Sequence, residues 1–155
     1  MMENKKKRGK YERVVGQLDE LLCKTTDPDA RMATILAVLH YKFDYFFWTG
    51  FYFLKNGELT VKSYQGPLSC QVLKKDTGVC WTAINQQRNV IVPDVHQFPG
   101  HIACNAQSKS EIVVPVRNRE DKIAGVLDID STSLNAFDEM DARFLEQIVK
   151  QIFVI

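Results

Sequence analysis

The chain has 155 residues, the length of one domain with a sizeable core. Apolar residues make up 45% and charged residues 25%, which excludes a disordered or low-complexity chain and fits a globular one. Twenty basic residues against 19 acidic ones leave a net charge of +1, too weak a field to call for nucleic acid or a membrane surface.

No stretch is apolar enough to span a bilayer, and no apolar segment follows the basic start as a signal peptide requires. The expected compartment is the cytoplasm, where thiols stay reduced. Cys23, Cys70, Cys80 and Cys104 therefore read as catalytic or metal-binding candidates rather than as a structural disulfide framework.

Residues 1–10, with the run Lys5-Lys6-Lys7-Arg8, are expected to form a flexible basic tail. Residues 11–155 are expected to form a single domain. A helix is expected over 11–23, with Val14, Val15, Leu18, Leu21 and Leu22 on one face and Cys23 as buried filler continuing that stretch. Asp27-Pro28 starts a second helix, an N-cap acid before a proline at the first helical position. Met32, Ile35, Leu36 and Leu39 give it an apolar stripe. Residues 44–54 are aromatic and strand-like. Asn56-Gly57 is a hairpin turn returning through a strand at 59–64. After the break at Gly66-Pro67 come a short helix at 78–87, a strand at 89–92 and a long loop at 94–109 with room for one helical turn. A second hairpin pairs 111–117 with 122–130. Asp138 caps a last helix striped by Met140, Phe144, Leu145, Ile148 and Ile152. Helices at both ends of a mainly antiparallel sheet make an α+β fold, with the terminal helices on one face and the site on the other.

The chemistry concentrates late in the chain. Along the last strand Ala124, Val126, Asp128 and Asp130 share a face, and enclosed like charges raise each other's pKa or recruit a cation. Glu111 opens the preceding strand and can join them, to hold an ammonium group or to donate a proton. Cys104 lies on a Gly/Pro-rich loop three residues after His101, which can lower its pKa or hydrogen-bond to it. Cys70 or Cys80 can resolve an oxidised Cys104; zinc held by Cys70, Cys80, His101 and Cys104 is the competing chemistry, without the close ligand pairs of zinc modules. Trp48 and Tyr52 share a strand face, as core or as a seat for an apolar or thioether group.

Taken together these residues resemble a GAF-type domain of the free methionine-(R)-sulfoxide reductase family. The resemblance rests on Trp48-Thr49-Gly50-Phe51-Tyr52, Gly66-Pro67-Leu68-Ser69-Cys70, Gly78-Val79-Cys80, Pro99-Gly100-His101-Ile102-Ala103-Cys104, Ser110-Glu111-Ile112 and Leu127-Asp128-Ile129-Asp130-Ser131. It implies that Cys104 attacks the sulfoxide sulfur, that Cys70 resolves it and that Cys80 is an auxiliary partner. It implies that Glu111, Asp128 and Asp130 bind substrate and assist proton transfer, with Trp48 and Tyr52 receiving the methyl-sulfur end and His101 beside them. The implied reductant is a thioredoxin-like dithiol protein; no metal or organic cofactor is implied, and a homodimer is left open. Trp81 and Asn105 stand where the family has Gly and Asp. The alternatives are a GAF module that senses or binds a small ligand without chemistry, which has no use for the cysteine triplet, and a structural dimerisation domain, which has none for the acids.

Overall fold

Alternation along three strands decides how the molecule is layered. The computed structural model describes residues 1–101 and 104–154; Ile102 and Ala103 of the loop motif, and Ile155, lie outside the described residues. The elements are α1 (Met2–Leu22), α2 (Pro28–Lys42), β1 (Trp48–Lys55), β2 (Glu58–Gln65), β3 (Val72–Leu73), α3 (Gly78–Gln86), β4 (Val90–Val92), a 3-10 turn (Val95–Gln97), β5 (Ser110–Arg117), β6 (Ile123–Ser131) and α4 (Glu139–Val149). The strands form one six-stranded sheet in the order β3-β2-β1-β6-β5-β4. Every pairing in it is antiparallel, as the α+β expectation requires.

Side chains alternate between the two faces of a strand. Phe51, Ile112, Val114, Val116, Leu127 and Ile129 point to one face and pack under α1, α2 and α4. Trp48, Tyr52, Val113 and Val126 point to the other, where α3 and the segment around β3 cover only part of the sheet. The acids at 111, 128 and 130 have the parity of this second face. They therefore lie on the side away from the terminal helices.

Caps and turns set the ends of these elements. Asp27 accepts a hydrogen bond from the Ala30 N–H at 2.9 Å, with Pro28 behind it, a cap worth about 1 kcal/mol. Asp138 and Asp141 form a capping box at the start of α4. Asn56 and Gly57 both have positive φ, 53° and 80°, as a tight two-residue hairpin requires. Among the described residues no helix is long and apolar enough to cross a membrane.

Four local expectations are corrected. Residues from Met2 onward are helical and continuous with α1, where a flexible tail was expected. The anchor is Asp141, fully buried, which accepts from the Tyr11 hydroxyl at 2.6 Å, the Tyr45 hydroxyl at 2.7 Å and the Lys7 ammonium. Cys23 is exposed, not buried filler. The buried stripe of α1 is Tyr11, Val14, Leu18 and Leu22, and one further residue turns the side chain by about 100° out of it. Leu21, placed on the apolar face by its spacing, is 42% exposed for the same reason. Residues 44–47 are not strand: Phe43 and Phe46 fold back under the helices and stack 4.8 Å apart, so β1 begins at Trp48. The two-residue β3 had no legible pattern of its own.

Candidate active site

Register assembles the floor of the site. Glu111 on β5 pairs with Asp130 on β6, and Asp130 pairs in turn with Trp48 on β1. One step along, Asp128 lies between Val113 and Gly50. Paired residues on one face stand about 5 Å apart at Cβ, so three acids meet in a patch the size of one small charged group. Gly50 is required there: a Cβ would come 2.4 Å from the Trp48 ring and 2.6 Å from Tyr64 Cβ. Its absence lets the indole lie along the sheet, stacked at 5.7 Å on Tyr52 and 5.2 Å on Tyr64.

The walls come from chain distant in sequence. α3 crosses the face and carries Cys80, 4% exposed, down to the acids. Cys80 Sγ, a Glu111 oxygen and an Asp128 oxygen all lie within 4.8 Å of one another. Cys70, from the segment before β3, and Cys104, from the loop before β5, are joined as a disulfide with Cα atoms 5.4 Å apart. A partly open cleft lies under that disulfide. Trp48, Tyr52, Cys80, His101, Cys104, Glu111, Asp128 and Asp130 all line it. Cys70 reaches the cleft only through its bond to Cys104 and its backbone: the Tyr52 hydroxyl donates to the Cys70 carbonyl at 2.8 Å.

Burial governs the electrostatics. Desolvation pushes Glu111 well above the carboxylate range, and the neighbouring Asp128 and Asp130 push it further. Desolvation and then Asp128 raise Asp130, against a hydrogen bond from the Ser108 hydroxyl at 3.2 Å. Asp128 rises to about 6, because hydrogen bonding with Glu111 and Cys80 partly offsets its burial. Asp128 is thus the most readily ionised of the three, and Glu111 holds its proton to higher pH. Burial, with the three acids, also raises the Cys80 thiol and holds it protonated. His101 Nε2 stands 3.8 Å from Glu111 Oε2. Burial first, and His96 second, lowers its pKa, so a neutral imidazole faces a neutral carboxyl and the contact is not an ion pair at neutral pH.

Two buried polar atoms in this site have no hydrogen-bond partner among the described residues, Trp48 Nε1 and Asp128 Oδ1. One is a donor and the other an acceptor, and a buried polar group left unpaired costs about 1–3 kcal/mol. The arrangement suits a ligand carrying a positive charge and a hydrogen-bond acceptor. The zinc set weighed from the sequence is not assembled as free thiols, because Cys70 and Cys104 are bonded to each other. Among the described residues, Cys80, Glu111 and Asp128 are close enough together to hold a metal.

The pattern of the GAF domain family matches residues 25–155. Over 125 residues the chain is 41% identical to the free methionine-R-sulfoxide reductase of Escherichia coli (strain K12), covering 79% of this chain and 74% of that one. The chain belongs to this family of GAF domains. It is also 46% identical to GAF domain-containing protein A of Dictyostelium discoideum over 145 residues, 93% of this chain and 90% of that one. Among solved structures, free methionine-R-sulfoxide reductase from Neisseria meningitidis in complex with its substrate superposes with a TM-score of 0.89. It is 39% identical, and the match covers 94% of this chain and 87% of that one.

Three participants were not singled out from sequence. Ser108 hydrogen-bonds Asp130, Ser69 hydrogen-bonds the Tyr52 hydroxyl, and Gly50 admits the indole. Gly50 and Ser69 lie inside motifs that carry the family resemblance, and Ser108 stands three residues before Glu111; those placements were the available signal. His40 and His96 lie apart from the site: His40 contacts Thr49 Oγ1 at 3.0 Å and His96 contacts Asp94 at 3.1 Å.

Proposed function

We propose that this chain reduces free L-methionine (R)-sulfoxide to methionine by thiol chemistry. The observation that carries the proposal is the Cys70–Cys104 disulfide roofing a cleft floored by Glu111, Asp128 and Asp130. The family relation supplies the substrate class.

In the reduced protein the Cys104 thiolate attacks the sulfoxide sulfur. The oxygen takes a proton from Glu111, whose raised pKa makes it an acid at neutral pH, and passes as hydroxyl to the Cys104 sulfur. Methionine leaves with its sulfur reduced by two electrons, and Cys104 becomes a sulfenic acid. The Cys70 thiol displaces that hydroxyl as water, forming the disulfide. A thioredoxin-like dithiol protein then returns two electrons and two protons. Asp128 seats the α-ammonium, Asp130 and His101 complete the polar wall, and Trp48 with Tyr52 holds the methyl-sulfur end. Cys80 is an auxiliary thiol. The reaction runs in the reducing cytoplasm, where the external dithiol is available.

The test is direct. Purified protein, a dithiol and each diastereomer of methionine sulfoxide are incubated, and methionine is quantified by chromatography. Methionine formed from the free (R)-form, with matching dithiol loss, is the expected result. Saturable binding of the sulfoxide with no methionine formed would overturn the reading in favour of a ligand-binding GAF module.

A further inference from the structure

The acids, the auxiliary thiol and an unpartnered oxygen make a set that the proposed reaction does not fully use. Cys80 is neither attacking nor first-choice resolving thiol, yet it is placed 4% exposed against two carboxylates. We propose that Cys80, Glu111 and Asp128 form an inhibitory site for a thiophilic divalent cation of the zinc type, which takes the place of the substrate's ammonium group.

Three observations carry this. The donor atoms, one sulfur and two carboxylate oxygens, lie within 4.8 Å of one another. Zinc bonds of about 2.3 Å to sulfur and 2.0–2.2 Å to oxygen put tetrahedral ligand atoms about 3.3–3.6 Å apart, so closing the set takes about an ångström of side-chain movement. A mixed thiolate and carboxylate set suits zinc rather than magnesium or calcium. Second, Asp128 is 6% exposed and its Oδ1 has no partner among the described residues, so one buried carboxylate of the set carries a free lone pair. Third, the ligands are held by rigid elements, α3, β5 and β6, and all three line the cleft through which an ion enters. The fourth position faces that cleft, and His101, 3.8 Å from Glu111, is placed to orient the carboxylate from outside the ligand shell.

Binding exchanges the Cys80 thiol proton and the Glu111 carboxyl proton for the ion. It removes the acid that would protonate the sulfoxide oxygen and fills the seat of the α-ammonium, so zinc competes with substrate. The binding stands on geometry alone; the inhibition rests on the proposed reaction. The site contains neither Cys70 nor Cys104, so zinc binds the disulfide form as well, where those sulfurs are unavailable. That property separates it from ordinary zinc capture by a reactive thiol pair.

The experiment is a calorimetric titration of the disulfide form with zinc chloride in metal-free buffer. It is repeated with cadmium chloride, whose thiolate bond absorbs in the ultraviolet. One ion per chain is expected, with the cadmium–thiolate band. Cys80→Ser and Asp128→Asn should each weaken binding at least tenfold, and Cys23→Ser should leave it unchanged. No saturable binding, or binding unaltered in both Cys80→Ser and Asp128→Asn, overturns the site. Circular dichroism verifies the fold of each variant, and either variant alone suffices if the other does not fold. A parallel single-turnover assay on pre-reduced, dithiol-free protein measures zinc against substrate. Turnover without zinc binding sinks the site alone; zinc binding without turnover sinks the proposed reaction alone.

Discussion

Acetylating the α-nitrogen of methionine sulfoxide removes the charge that the buried acids are proposed to meet, and its cost follows from the site. Asp128 is the most readily ionised of the acids, 6% exposed, with Oδ1 unpartnered among the described residues. Removing the partner of a buried charge costs about 3–5 kcal/mol. The open mouth of the cleft admits water, which places the loss near the lower end, about 3 kcal/mol, or a hundredfold in kcat/KM. The acetyl group also adds bulk, so a single comparison mixes charge with fit. A double-mutant cycle separates them. The ratio of kcat/KM for free against N-acetyl substrate is measured in the wild type and in Asp128→Asn. Steric exclusion acts in both proteins and cancels; the ammonium–carboxylate coupling exists in only one. The expected ratio is about a hundredfold or more in the wild type and falls at least tenfold in Asp128→Asn. A wild-type ratio below about ten, or one that Asp128→Asn leaves unchanged, refutes the assignment of Asp128 to the ammonium.

Cys104→Ser should abolish methionine formation in a single-turnover assay and leave the circular dichroism spectrum intact; methionine release at the wild-type rate would remove Cys104 from the nucleophile's role. Cys70→Ser should release about one methionine per chain and then stall as a sulfenic acid that a dimedone-type reagent labels on Cys104; sustained turnover would make Cys80 the resolving thiol. Asp141→Ala should destabilise the fold by about 3–5 kcal/mol, because it strands the buried Tyr11 hydroxyl and the half-buried Tyr45 hydroxyl and releases Lys7. In a domain of this size that is roughly 10 °C in Tm, and a shift under about 3 °C would show that the amino-terminal turn of α1 is not anchored there. Cys23→Ser should change neither Tm nor turnover, since its thiol is exposed and donates to the nearby Glu20 carbonyl.

What the chain states locally was legible in the sequence. Asp27-Pro28 and Asp138 mark helix starts because a cap is a matter of neighbouring residues. Asn56-Gly57 marks its hairpin because both positions need positive φ. The parity of Glu111, Asp128 and Asp130 within their strands is local too, and so is the shared face of Trp48 and Tyr52. Register is not local. That Glu111 lies opposite Asp130, and Asp130 opposite Trp48, follows from how β5, β6 and β1 pair, which no single segment encodes. Only the crossing of α3 over the open face lowers Cys80 onto the acids. Only the approach of two loops brings Cys70 and Cys104, 34 residues apart, into one bond. The exposure of Cys23 and the helical run from Met2 were decided the same way, by where the core ends and by a carboxylate on α4 more than a hundred residues away. Chemistry-bearing residue types can be read along a chain; the distances that turn them into a site arise when separate elements desolvate one another.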